Sequence, residues 1–306
     1  MKNHSHLKNV LLSLFVTFLW STSFVIIKIG LAEIPPLTFA GLRYTIAFIC
    51  LLPFAFTKKN SSEFKNLKKN DWIRLFIYGL LFIAFTQGAM FSGLLFLPAV
   101  TVSLWLNFTP LVVAVMAIFL INEYPTFLQW TGVVLFIIGI LTYFFPIMLS
   151  ENQEFGLIIM TIGVLANSGS VVLGRSINRE AKINPVLVTI VSMGIGAIAL
   201  LISGTLIQGL PSISLQNVLY LLWLAVINTA FAFTIWNYTL RTLSAMESSI
   251  INGTMLIQIA VLAWIFLGEA ITLQEGIGML IAAIGALLVQ MKIKAIHLPK
   301  KKITNS

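Results

Sequence analysis

The chain reads as long apolar runs separated by short polar breaks. A spanning helix needs about 20 mostly apolar residues. Ten stretches meet that length: 9–30, 37–56, 73–96, 99–121, 127–148, 155–174, 186–207, 217–239, 248–267 and 273–292. The connections are short. The longest, TKKNSSEFKNLKKNDW (57–72), is polar and lysine-rich. One run raises a question of its own. VLLSLFVTFLWSTSFVIIKIGL carries LWSTSF (19–24) at its centre, three hydroxyls and an indole where a membrane helix has no water.

Composition turns the pattern into a class. Hydrophobic residues make up 58% of the 306, charged residues 9%, and the mean hydropathy is +0.98. A soluble chain carries about 25% charged residues, so most of this surface must meet lipid. The expected fold is an all-α membrane protein of ten transmembrane helices. The single cysteine, Cys50, lies in an apolar run, which excludes an internal disulfide and a cysteine metal site; a small buried hydrophobe is expected there. No cleavable signal peptide is expected, because no small-residue cleavage site follows the first run.

Charge orients the spans. Of 19 basic residues, 17 fall in the termini and the even-numbered connections; Lys28 and Arg43 are the exceptions. The opposite loops SENQE (150–154) and QGLPSISLQ (208–216) hold no Lys or Arg. The positive-inside rule then puts both termini, tails 1–8 and 293–306, in the cytoplasm of a multi-pass cell-membrane protein. The net charge of +9 reflects this topology and contact with anionic lipid, not nucleic acid.

The chain also repeats itself. INEYPTFLQWTGVVLFIIGILTYF (121–144) aligns with LGEAITLQEGIGMLIAAIGALLVQ (267–290), pairing Glu123 with Glu269, Gly132 with Gly278 and Gly139 with Gly285. TFLWSTSFV (17–25) aligns with GVLANSGSV (163–171), and LPAVTVS (97–103) with LSAMESS (243–249). Every pair is 146 residues apart. Two five-span units follow, 9–148 and 155–292. Five is odd, so the second enters the membrane inverted, and a shared site is expected at the midplane axis.

These motifs resemble the drug/metabolite transporter superfamily, specifically transporters built from two EamA domains. The resemblance is carried by FLWSTSFVIIKIGL (18–31), PPLTFAGLR (35–43), FSGLLFLPA (91–99), NFTPLVVAVMAIFLINE (107–123), NYTLRTLSAMESSI (237–250) and AWIFLGE (263–269). It covers about residues 10–292. Two departures stand out: Asn122 replaces the glycine of the first LGE, and Leu256 stands where a proline is expected, while Pro110 is kept. The resemblance implies ten helices with cytoplasmic termini and transport of small metabolites, often export of amino acids and related compounds.

Polar groups at bilayer depth face a cavity or a partner helix. The candidates for substrate binding are Trp20, Ser21, Thr22, Ser23, Gln87, Asn107, Asn167, Ser168, Asn228, Trp236 and Gln258. Two readings compete for each. Ser, Thr and Asn also glue membrane helices together, and a tryptophan can be core as readily as cavity wall. Pro110 can break a helix or merely kink it. Lys28 and Arg43 could attract a substrate carboxylate at the outer mouth, or snorkel, or pair with a neighbour such as Glu33. Glu123 and Glu269 sit at helix ends, as caps or gates.

The leading expectation is a secondary transporter working by alternating access, with a small-molecule substrate, the lipid bilayer as its surroundings, no cofactor and no metal. An intramembrane enzyme or a receptor is the alternative. The only histidines, His4, His6 and His297, lie outside the spans, and no P-loop is present.

Overall fold

The computed structural model describes residues 2–121, 126–146, 150–179, 183–239 and 251–290. Every regular element among them is helical. In chain order, α1 is Lys2–Gly30 and α2 Pro36–Ala55. A short helix α3, Lys58–Lys65, precedes α4, Lys69–Phe96. Next come α5, Ala99–Leu106, and α6, Thr109–Ile121. They are followed by α7, Phe127–Phe144, α8, Glu151–Arg179, and α9, Pro185–Gln208. α10 covers 215–239. α11 is Met255–Leu267, and α12 is Leu273–Gln290.

Local chemistry sets the ends. Prolines 36 and 185 open α2 and α9, where a missing N–H is no loss. Asn184 caps α9 by accepting from the Val186 amide at 3.1 Å. Thr126 and Gln129 form a capping box at the start of α7. Part of the connection read as a polar loop is helical: α3 docks through Glu63, which accepts from the Asn184 amide at 2.8 Å.

Among the described residues, six helices are long and apolar enough to cross a membrane, namely α1, α2, α4, α7, α8 and α9; four further apolar stretches are shorter. The outer surface is greasy. Phe127 is 89% exposed and Leu273 82%, which in water would be an aggregation surface. Against lipid it is the expected face. Cys50 lies on that face and is exposed, so it is not the buried hydrophobe expected from its apolar surroundings.

Two close-packed pairs hold the bundle. In the first, α7 crosses α12, and Gly132 and Gly139 sit on Gly285 and Gly278. A Cβ on Gly139 would lie 2.4 Å from the Ala282 nitrogen, and one on Gly285 would lie 2.4 Å from the Phe136 nitrogen. In the second, α2 crosses α9, where a Cβ on Gly41 would stand 2.6 Å from the Leu201 Cα and one on Gly204 2.5 Å from the Thr38 nitrogen. Small residues let these backbones touch, and dispersion, not hydrophobicity, drives that contact in lipid.

Several helices are interrupted. The run 99–121 is not one helix: α5 ends at Leu106 and a turn at 107–108 separates it from α6. The second half has its own interruption, a turn at Thr254 before α11. Residue 254 is the repeat partner of 108. α4 and α10 each contain π-helical turns, at Leu80–Phe85 and Trp223–Phe231. Shifted by 146, the first falls on 226–231, inside the second. The two halves thus break regular helix at matching places.

Candidate functional site

The LWSTSF stretch of α1 lies against α10 and α11, and every hydroxyl in it has a partner. Ser21 Oγ donates to the Thr17 carbonyl at 2.8 Å and reaches Gln258 Oε1 at 3.0 Å. Gln258 Nε2 donates to Thr254 Oγ1 at 3.0 Å and Thr17 Oγ1 at 3.3 Å. Asn228 Nδ2 lies within 2.7 Å of the Leu19 carbonyl, 3.1 Å of Thr22 Oγ1 and 2.8 Å of Ser23 Oγ. In return, the Trp20 indole N–H donates to the Asn228 carbonyl at 3.1 Å. Asn228 lies within the π turns of α10. The Trp20 ring lies 5.3 Å from Phe233 and 5.2 Å from Trp236, both tilted. Six of the candidates are thus joined in one clamp, with Trp236 on its aromatic side.

The partner stretch in α8 does the same at the other break. Asn167 Nδ2 donates to Thr109 Oγ1 at 3.0 Å, and Ser168 Oγ donates to the Val164 carbonyl at 2.8 Å. Asn107 Nδ2 donates to the Ser103 carbonyl at 2.9 Å, capping the end of α5. Pro110 explains this break. It has no N–H for the Leu106 carbonyl, so the α5 ladder cannot run on through it, and it sits in the first turn of α6, where that donor is not needed. At the second break, Leu256 occupies that position, so the turn has another cause. Thr254 folds back through both its amide, 3.1 Å, and its hydroxyl, 2.6 Å, onto the Ile251 carbonyl. Gln258 holds it there.

Gln87 stands apart. It is half-buried on α4, one turn before Phe91, and its side chain makes no hydrogen bond to a described residue.

The two unpaired cations of the sequence have different fates. Lys28 pairs with Glu269 at 3.2 Å, not with Glu33, and also donates to the Leu97 carbonyl. Glu269 in turn caps α5, accepting from the Ala99 amide at 2.9 and 3.0 Å. Its position depends on Gly268, whose φ of +68° ends α11 in a left-handed turn that only glycine adopts without strain. The LGE motif therefore has a mechanical meaning: glycine stops one helix and glutamate starts another. Lys28, Leu97 and Glu269 form a latch across the end of the bundle where α1 finishes. Glu123 lies outside the described residues.

Arg43 neither snorkels nor pairs with Glu33. It is 4% exposed, well inside α2, and its Nε donates to Thr229 Oγ1 at 3.1 Å. Its guanidinium carbon stands 5.4 Å from the Tyr44 ring centroid and 5.9 Å from that of Phe91. The expectation of a mouth position fails because α2 begins at Pro36 and Arg43 lies about 10 Å along it.

The profile of the EamA-like transporter family matches the chain twice, over residues 7–145 and 154–291. The chain belongs to the EamA-like transporter family. It is similar to an uncharacterized transporter, YoaV, of Bacillus subtilis, 26% identical over 88% of this chain and 92% of that protein. It is also similar to a probable amino-acid metabolite efflux pump of Escherichia coli, 28% identical over 75% of this chain and 77% of the pump. A solved crystal structure matches with a TM-score of 0.66 at 17% identity, covering 92% of this chain and 97% of the other; it supports the fold alone.

Membership of the EamA family makes the chain a multi-pass membrane transporter of the drug/metabolite superfamily. Several participants carry little or no signal in the sequence. Thr109 and Thr254 hold the two breaks, and Phe91 and Tyr44 frame Arg43. Thr109 was signalled by the proline after it, and Phe91 by its place one turn from Gln87. Thr254 had no signal, because its break contains no proline.

Proposed function

We propose that the protein is a ten-span secondary transporter that exports amino acids or related small metabolites across the cytoplasmic membrane by alternating access. Both termini are cytoplasmic in this reading. The two EamA units are inverted, and a cavity forms between α1, α4, the α5–α6 break, α8, α10 and α11. The substrate meets Gln87, Asn107 and the aromatic face of Trp20 and Trp236 there. The amino-acid reading draws on the efflux-pump relatives.

The observation that carries this reading is the pairing of the interruptions. Each half breaks a helix at the same repeat position, 108 and 254, and each break is held by a polar stretch of the other half: α8 holds the first, α1 the second. Broken helices at a repeat interface are how transporters build midplane sites. If the two clamps tighten in turn, the halves rock against each other. The Lys28–Glu269 latch then closes the outer end in one state only, because the repeat partner of Lys28 is Gly174.

The test uses everted and right-side-out membrane vesicles with the twenty labelled amino acids. Accumulation of at least one in everted vesicles, lost in Gln87→Ala and Asn107→Ala at unchanged abundance, is the expected result. No movement of any solute, with a control carrier active in the same vesicles, would overturn the reading.

A further inference from the structure

We propose that Arg43 is the recognition point for a carboxylate on the transported solute, deep in the bundle. The proposal rests on the transporter reading above and narrows its substrate to acids.

Arg43 is 96% buried, and it uses little of its capacity. Among the described residues, only Nε has a hydrogen-bond partner, Thr229. Nη1 is fully buried with no partner, and neither Nη atom bonds a described residue. No carboxylate among the described residues lies within ion-pair distance of it. A guanidinium kept for structure would be expected to spend its five donors on carbonyls or on an acid. Here a charged group is held at bilayer depth with its fork empty. Such a group marks a substrate path more often than a packing contact.

The surroundings favour an anion over other occupants. Tyr44 and Phe91 stand about the guanidinium and hold it without neutralising it. The fork of two Nη groups matches the two oxygens of a carboxylate. Thr229 fixes the fork through Nε, and Thr229 itself is anchored to the Leu224 carbonyl at 2.8 Å across the π turns. The neighbouring residue, Asn228, has a buried Oδ1 that also lacks a partner. A donor on α2 and an acceptor on α10, the latter next in sequence to the Thr229 that Arg43 bonds, are thus left open along the α2–α10 seam. Gln87, one turn from Phe91 on α4, adds a free amide. Depth argues against a lipid headgroup: Asn228 bonds Leu19, Thr22 and Ser23, near the middle of α1. The repeat partner of Arg43 is Thr189 and that of Gln87 is Phe233, so the site belongs to one side of the axis.

The test has a binding arm and a transport arm. In the binding arm, full-length protein in nanodiscs is heated with each of the twenty amino acids and with acetate, at concentrations up to millimolar. Any acid that raises the apparent unfolding temperature is compared with its own amide and its decarboxylated amine. Sodium chloride is titrated in parallel. Acids are expected to bind at least tenfold more tightly than their amides. Arg43→Gln is expected to abolish that preference, while Arg43→Lys retains the preference at lower affinity. Thr229→Val, which leaves the charge in place, is expected to weaken acid binding and serves if Arg43→Gln does not fold. Equal binding of acid and amide overturns the proposal, as does unchanged acid affinity in Arg43→Gln. So does stabilisation by no acid, or by chloride alone to the same extent. In the transport arm, acids that bind but do not move in vesicles would sink the transporter reading and leave the anion site standing. Transport of neutral amides at the rate of acids would sink the anion site and leave the transporter.

Discussion

The crossing of α7 and α12 and the meeting of α1 with α10 and α11 are both contacts between the two halves, yet they are built in opposite ways. The first is dry, glycine-lined and nearly symmetric: Gly132 and Gly139 face Gly285 and Gly278, and each is the repeat partner of another in the set. The second is polar and asymmetric. Trp20 has Ala166 as its repeat partner, Asn228 has Phe82, and Lys28 has Gly174. The same holds for Arg43 and Gln87. Symmetry is kept where two backbones must touch in both halves, because the steric demand is the same. On the transport reading proposed above, it is lost where one solute needs one set of groups, and the positions where the copies disagree are then the ones to test first.

The contrast can be broken from either side. The largest effect is expected in the glycine seam. Gly139→Leu pushes a side chain into the backbone of Ala282, with no flexible atom to give way. Nearly all folded protein should be lost, seen as disappearance of the monodisperse peak in size-exclusion chromatography. A normal peak would mean that the seam is not the scaffold.

The polar clamp should respond less and unequally. Asn228→Leu removes three side-chain contacts to α1. Such bonds are worth about 0.6 kcal/mol each in lipid, so the loss is roughly 1–2 kcal/mol, a few degrees in thermal unfolding. The repeat-equivalent Phe82→Leu should lower the unfolding temperature by less. Equal shifts would mean that the polar clamp has no special place in the packing.

The latch sits between these regions. Lys28 and Glu269 are partly exposed, with side chains 27% and 15% accessible, so their pair is worth about 0.5–1 kcal/mol. Glu269→Gln keeps a cap on Ala99 but removes the ion pair, leaving Lys28 held by the Leu97 carbonyl alone. In a Cys50→Ser background, a cysteine placed at Leu97 should react with a soluble maleimide roughly two- to fivefold faster once the pair is gone. An unchanged rate would make the pair a cap and nothing more.

The smallest effect is expected at Glu33, in the connection before α2. The Asn217 side chain and then Ser214 hold its carboxyl below the ordinary value of 4.5. A lowered pKa in the folded state means that the contribution is complete above that ordinary value. It fades as pH falls through the folded value. The wild type should lose a little more thermal stability than Glu33→Gln between pH 6 and pH 3. Parallel curves would show that the tie to α10 carries no weight.

Much of this was legible in the chain, and the reasons differ by feature. Apolar length located the long helices, because lipid imposes one demand on every span, but it did not show the break within 99–121. The 146-residue offset singled out Gly132, Gly139, Gly278 and Gly285 as matched positions, though not the backbone contact between α7 and α12 that they line. The polar positions were legible as a set but not in their roles. Ser21 and Asn228 bond neighbouring helices, whereas Gln87 does not, and nothing local to those residues separates the cases. Arg43 was misread as an interfacial charge, because depth depends on where α2 starts and how it leans on α10. The break at Thr254 and the π turns were hidden, because apolar sequence is compatible with α and π winding alike.

Those π turns carry a mechanical consequence. A π turn holds one residue more than an α turn, so each of α4 and α10 stores spare length within its span. Letting the surplus residue migrate along the helix would advance the following segment by about 1.5 Å and turn it by roughly 100°, without undoing the helix at either end. For α10 the segment so turned carries Phe233 and Trp236. The helix is then less a strut than a threaded shaft, able to present a different side of itself to the interior by taking up its own slack.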